Sequence, residues 1–149
     1  MDVSRSFRYC IIVKTPFAAE KAFAWIKSGQ AGMQQTGWLV ISVGALKPDV
    51  FSDADLLALL PGIEATIHGE ENRVREAMNL ALIGIGVRNA KCRKAALAAA
   101  RRIGKVEVDH GDTGCKTPDA AAYIMKTIAH QAGKAARTRR PVRARSPRH

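Results

Sequence analysis

Apolar residues recur at three- and four-residue intervals along most of this 149-residue chain, the spacing of helices that each bury one face. Phe7, Tyr9, Cys10, Ile11, Ile12 and Val13 end at Lys14-Thr15-Pro16, where Thr15 before Pro16 predicts an N-cap with proline at the first helical position. The helix opened there carries Phe17, Ala18, Ala22, Phe23, Trp25 and Ile26 and stops at Ser28-Gly29. A third is predicted from about Gln30 to Leu46, with Gly37, Gly44 and Ala45 placed for close packing. Ser52-Asp53-Ala54-Asp55 has the cap and N-terminal acids of a fourth, whose stripe from Leu56 to Ile67 crosses Pro61, a residue that kinks a helix or splits it in two. Glu70 to about Val87 and Ala90 to Ile103 give two more, the latter alanine-rich and ended by Gly104.

The stretch Lys105 to Lys116 breaks the period. Val106-Glu107-Val108 alternates and His110-Gly111-Asp112-Thr113-Gly114 is turn chemistry, which together predict an ordered loop with an extended start. Thr117-Pro118-Asp119 repeats the capping logic of Thr15-Pro16 and opens a last helix through Tyr123, Ile124 and Ile128. About seven helices in antiparallel pairs, joined by short turns, make an all-α solenoid over residues 1–130, with a closed bundle as the alternative. Residues 131–149 form a basic tail with no core of its own, expected to be disordered.

Charge sharpens this division. The chain carries a formal +11, of which Gly133 to His149 supply seven cations and no acid, leaving only +4 for the rest. The tail therefore points to a polyanionic partner, nucleic acid first and an anionic membrane surface second, against the plain alternatives of a solubilising tail or a frameshifted end. Three cysteines, Cys10, Cys92 and Cys115, match neither a disulfide framework nor a zinc site, so reduced thiols and a cytoplasmic location are expected. No apolar stretch reaches eighteen residues and the start lacks the layout of a signal peptide, so a soluble, intracellular protein is expected, with nucleic acid and no membrane taken as the partner. Asp109, His110, Asp112 and Cys115 lie close together, but Asp and Thr side chains in such a loop hydrogen-bond their own backbone. No metal or cofactor is expected there. Trp25 and Trp38 read as core rather than base-stacking platforms. Arg73 and Arg75 beside Asn72 and Asn79 give one basic helix face, and Arg93, Lys94, Arg101 and Arg102 give a second.

Two runs carry a family resemblance. Asn72-Arg73-Val74-Arg75-Glu76-Ala77-Met78-Asn79, continuing through Ile83-Gly84-Ile85-Gly86, and then Ile103 to Ala120, resemble the C-terminal part of the DNA-alkylation-repair family of HEAT-like helical repeats, related to alkylpurine DNA glycosylases. The resemblance covers most of Asp2 to Lys126. It implies a HEAT-like solenoid whose concave basic face cradles duplex DNA. In active members it also implies hydrolysis of the N-glycosidic bond of an alkylated purine, helped by a carboxylate that stabilises charge developing on the sugar. The family's catalytic pattern, like Trp-Asp-Val-x-Asp-x-Phe, falls on Met1-Asp2-Val3-Ser4-Arg5-Ser6-Phe7, with Arg5 at the aspartate position. Its backbone-gripping pattern, like Arg-Thr-Gly-aromatic, falls on Gln35-Thr36-Gly37-Trp38.

The expected function is therefore duplex DNA binding by a shortened family member with impaired or absent glycosylase activity. An active glycosylase using Asp2, and a helical scaffold for a protein partner, are the alternatives. The candidate DNA-contacting set is Arg5, Arg8, Gln35, Arg73, Arg75, Arg93, Lys105 and Lys116, and no residue is assigned as catalytic. Because the chain begins inside the motif, the family's N-terminal repeats are expected to be missing, which would expose a helix face and favour self-association.

Overall fold

A computed structural model describes residues 10–138, and all regular structure among them is helical. Residues 10–12 are helical. They are followed by α1 (Ala18–Ile26), α2 (Ala31–Gly44) and α3 (Asp53–Thr66). A short 3-10 turn (Ile67–Gly69) leads into α4 (Asn72–Arg88), α5 (Ala90–Ile103) and α6 (Ala120–Thr138). Helices α2, α4 and α6 pack side by side in one row; α3 and α5 pack in the other, and α1 lies against α2. This is the all-α solenoid of antiparallel helix pairs that the periodicity predicts.

Helix α4 is the centre of the stack. Every residue from Ala81 to Val87 is buried, so this half is packed all round rather than along one stripe. Glycine makes that possible: a Cβ on Gly84 would stand 2.5 Å from the Ser42 carbonyl oxygen on α2. Ser42 uses the same approach to donate from its hydroxyl to the Leu80 carbonyl at 3.0 Å. Gly37 does likewise between α1 and α2, where an added Cβ would meet the Ala22 carbonyl oxygen at 2.9 Å. Phe23 and Phe51 meet edge to face, with ring centroids 5.5 Å apart, and Phe51 is fully buried. Trp38 is in the core and Trp25 packs against it.

One ion-paired node fastens four helix ends. Arg88 donates from Nε to Asp53 at 2.5 Å, from Nη1 to the Ala45 carbonyl at 2.6 Å and from Nη2 to the Phe51 carbonyl at 2.7 Å. Asn89, the one-residue link between α4 and α5, donates to the other Asp53 oxygen at 2.9 Å while its own Oδ1 caps α5 at the Cys92 amide. The Arg88 and Asn89 hydrogen bonds hold the Asp53 carboxyl below its usual range, against a smaller opposing effect of burial. Burial pushes the neighbouring Cys92 thiol up, and the nearby Asp53 charge adds to this. All three cysteines are unpaired.

Several predicted ends move. The Ser52 capping box forms with Asp55 as expected. Thr15 does not cap α1: its hydroxyl donates back to the Ile12 carbonyl at 2.8 Å, closing the preceding segment, and Phe17 takes the N-cap position. Thr117 does not cap α6 either, because its hydroxyl meets His110; Asp119 caps instead, accepting from the Ala122 amide at 2.7 Å. Pro61 leaves α3 continuous to Thr66, and it and Gly62 lie on the exposed side. The last helix also continues past residue 131, where the sequence predicts the start of the tail. Helix α6 runs on to Thr138 through strong helix formers such as Ala132, Lys134, Ala135 and Ala136. Residues 139–149 lie outside the described residues.

Gly84→Ala should destabilise the protein by about 1–3 kcal/mol, since backbone and not a flexible side chain blocks the new methyl. Gly62→Ala, with nothing within 4 Å of its Cβ, should stabilise by about 0.5–1 kcal/mol. Urea unfolding at equilibrium checks both, and equal effects would refute the close-approach argument. Because the Asp53 pKa is lowered on folding, its contribution is present above the ordinary carboxylate range, about pH 4, and is lost as pH falls through the folded value. Asp53→Asn should lower the melting temperature at neutral pH and flatten its decline in acid. Parallel pH profiles for parent and variant would show that this carboxylate is not linked to folding.

Candidate nucleic-acid interface

The most specific stretch of the sequence, the loop from Gly104 to Asp119, is held against the N-terminal half of α4 by side chains at i, i+3 and i+7. Asn72 pairs with the backbone of Asp109 in both directions, accepting from its amide at 2.8 Å and donating to its carbonyl. Arg75 donates to three carbonyls, those of Glu107 at 2.8 Å, Glu70 at 2.9 Å and His68 at 3.2 Å. Asn79, buried to 1% exposure, donates to the Pro118 carbonyl at 2.9 Å. His68 Nε2 lies 2.9 Å from the Ile103 carbonyl and so must donate to it.

Within the loop, Asp109 accepts from the Gly111 amide at 2.8 Å and Thr113 donates to the His110 carbonyl at 2.7 Å. His110 Nε2 and Thr117 Oγ1 close the turn at 2.9 Å. Gly111 needs its positive φ of 60° here, a conformation that costs other residues a steric penalty. Val106 anchors the start of the loop in the core, in irregular backbone rather than a strand. The polar residues of this stretch thus bond the loop's own frame, and among the described residues no group of three or more His, Cys, Asp and Glu stands where it could hold a metal.

An open cleft of about 620 Å³ lies between α4 and this loop, and Arg75, Lys105 and Lys116 all line it, with Glu107 and Asp109. Its three cations differ in what they are free to do. The Arg75 guanidinium is committed to backbone carbonyls. Lys105 pairs with Glu107 at 2.7 Å, a hydrogen bond that raises the amine and lowers the carboxyl from their ordinary values, though with both groups largely exposed the pair adds little stability. Lys116 is exposed and makes no ion pair among the described residues. The cleft is therefore first a structural junction, with one free cation at its rim.

The other predicted contacts are scattered. Arg73 is exposed on α4, Gln35 is half-buried in the first turns of α2, and Arg93 is half-buried on α5. Asp2, Arg5 and Arg8 lie outside the described residues. Arg102 is tied to Glu64 through two bonds of 2.6 and 2.9 Å, which lowers the Glu64 carboxyl. The outward side of α5, by contrast, carries Lys91, Lys94 and Arg101, all exposed, on a helix without a single acid. The roles of Asn72, Asn79, Arg88 and Asn89 escaped sequence reasoning, because a polar residue on a helix flank looks the same whether it faces water or a neighbouring loop.

Comparison with known proteins places the chain. Residues 7–124 match the model of a family described as DNA alkylation repair enzyme. An uncharacterized protein of Listeria innocua serovar 6a, Lin0241, is 34% identical over 116 residues, which are 78% of this chain and 50% of that protein. Its counterpart in Listeria monocytogenes serovar 1/2a, Lmo0209, is 33% identical over the same length and shares. The chain thus spans about half the length of the curated relatives it matches. A solved structure reported as a new family of proteins related to the HEAT-like repeat DNA glycosylases, with affinity for branched DNA structures, superposes with a TM-score of 0.73. It covers 83% of this chain and 53% of that one at 23% identity, a likeness of fold.

Arg75→Lys should loosen the loop without unfolding the stack, because a lysine ammonium cannot span three carbonyls as the planar fork does. Amide hydrogen exchange across residues 105–117 should speed up by at least about tenfold while α2 and α4 stay protected. Unchanged exchange in the loop would show that Arg75 does not hold it.

Proposed function

This chain belongs to the DNA alkylation repair enzyme family, and on that premise we propose that it binds duplex DNA through phosphate contacts, with glycosylase chemistry impaired or absent. The observation that carries the binding half is the sorting of its cations. Arg75, Arg88, Arg102 and Lys105 are engaged by carbonyls or carboxylates of the chain itself. Arg73, Lys91, Lys94, Arg101 and Lys116 stand exposed without an acid partner among the described residues. Free surface cations neutralise phosphates and release counterions without reading sequence, which suits a backbone-binding protein. No helix among the described residues is long and apolar enough to cross a membrane.

The impaired chemistry rests on Arg5 and Gln35 at the positions that the family resemblance assigns to the catalytic carboxylate and the gripping arginine. Departure of an alkylated purine leaves positive charge on the sugar. At an effective dielectric near 20, two unit charges about 4 Å apart interact by about 4 kcal/mol, attractive for a carboxylate and repulsive for Arg5. Gln35 retains hydrogen bonds and loses the charged fork. The reading also includes self-association through the N-terminal helix face, where Ile11 and Phe17 are 50% and 59% exposed.

Titrating a labelled duplex at several salt concentrations tests the binding half. The expected slope of log K against log salt has a magnitude of about 3 or more, and the Arg73→Gln, Lys116→Gln double variant should reduce it by about 2 for every sequence alike. Absence of binding, or binding indifferent to salt, overturns this half. Methylated duplex should release no free base; release that Asp2→Ala abolishes would instead establish an active glycosylase. Sedimentation across the micromolar range should show a dimer or larger species, and a strict monomer would dispose of self-association.

A further inference from the structure

Helix α6 closes the described stack, and its charge pattern exceeds what closing a stack demands. Its apolar side ends early: Ala120 and Ile124 are buried, Ile128 is the last residue packed on the core, and every residue from Ala129 to Thr138 is exposed. At 1.5 Å per residue, about 15 Å of helix therefore continues past its final tertiary contact. Along the exposed side run Lys126, His130, Lys134 and Arg137, spaced four, four and three residues apart on one face. No acid occurs anywhere in α6.

A terminal helix needs a polar outer face for solubility, but a face of mixed sign meets that need better. Glu and Lys four residues apart support an isolated helix, whereas the like charges of Lys134 and Arg137, three residues apart, weaken it. Gly133 weakens it further, and a free helical segment of this length is marginal in water. The free end of α6 is thus marginal as a helix, and a polyanion bound along the stripe would hold it helical. From Lys126 to Arg137 the stripe spans about 16 Å, the rise of roughly five phosphates along one DNA strand. The sequence after Thr138 adds Arg139, Arg140, Arg143, Arg145 and Arg148 and no acid, so nothing there competes for the charge.

We propose that the exposed side of α6 is a phosphate-tracking arm that engages the backbone of duplex DNA separately from the body surface bearing Arg73 and Lys116, and gains helix as it does so. The inference rests on the DNA-binding reading above and adds a second site to it.

The test uses the full chain and a Lys126→Gln, Lys134→Gln, Arg137→Gln variant, whose positions are all exposed and whose glutamines keep good helix propensity. The variant should melt like the parent, bind duplex DNA with a salt slope smaller by about 3, and lose the rise in helical circular dichroism that DNA brings about in the parent. A matching Lys126→Arg, Lys134→Arg variant should keep both the slope and the rise. A triple variant with the parental slope overturns the arm while leaving the body surface intact. A parent that does not bind DNA overturns the DNA-binding reading itself, and the arm with it. A triple variant that loses affinity for phosphatidylserine vesicles but not for DNA would reassign the stripe to a membrane surface.

Discussion

The structure depends on how near α4 can come to α2. Gly84 lets the two backbones meet at the Ser42 carbonyl, and that proximity buries Ala81 to Val87 on every side. Once α4 is seated, both of its ends are placed by rigid geometry. Its C-terminal end delivers Arg88 to the junction of α2 and α3. Its N-terminal half presents Asn72, Arg75 and Asn79 to the loop that follows α5. A site made largely of irregular backbone gains its order from the most buried helix of the fold.

Arginine solves a specific problem in this arrangement. Helix ends leave carbonyls without amide partners, and a short solenoid has many ends close together. Arg88 meets the Ala45 carbonyl at the end of α2, and Arg75 meets those of His68 and Glu70 where the 3-10 turn gives way to α4. A guanidinium suits this because its donors are fixed in one plane and stay charged at any ordinary pH. The same properties suit phosphate contacts, which is why Arg75 looks identical in the two roles when only the sequence is in view.

What the sequence made legible follows from the range of each signal. Signals confined to one helix held: the Ser52 capping box, the bounds of α5, and the glycines that mark close packing. Signals that several neighbours can satisfy did not. Thr15 and Thr117 each have a hydroxyl able to cap a helix, and in each case another carbonyl or imidazole lies closer. Pro61 does not break α3, where it sits on the exposed side, and which side of a helix faces the core is decided by the tertiary fold. The candidate site divided along the same line. The Asp109 to Thr117 loop frame was readable because its bonds are local, whereas the partners of Arg75 lie up to 32 residues away.

Binding and catalysis place different demands on a fold of this kind, and the proposed reading rests on that difference. Phosphate contacts are many, individually modest and tolerant of position, so they survive the gain or loss of single cations along a solvent-exposed face. Stabilising a developing cation needs one carboxylate held in one place, and in the proposed reading, where Arg5 takes that position, the sign of the effect is reversed rather than its size reduced. The packing around Gly84 fixes the scaffold and not the charge on its surface. In the proposed reading the free cations of α5 and α6 serve binding on the surface of a scaffold whose core holds the helices together independently of them.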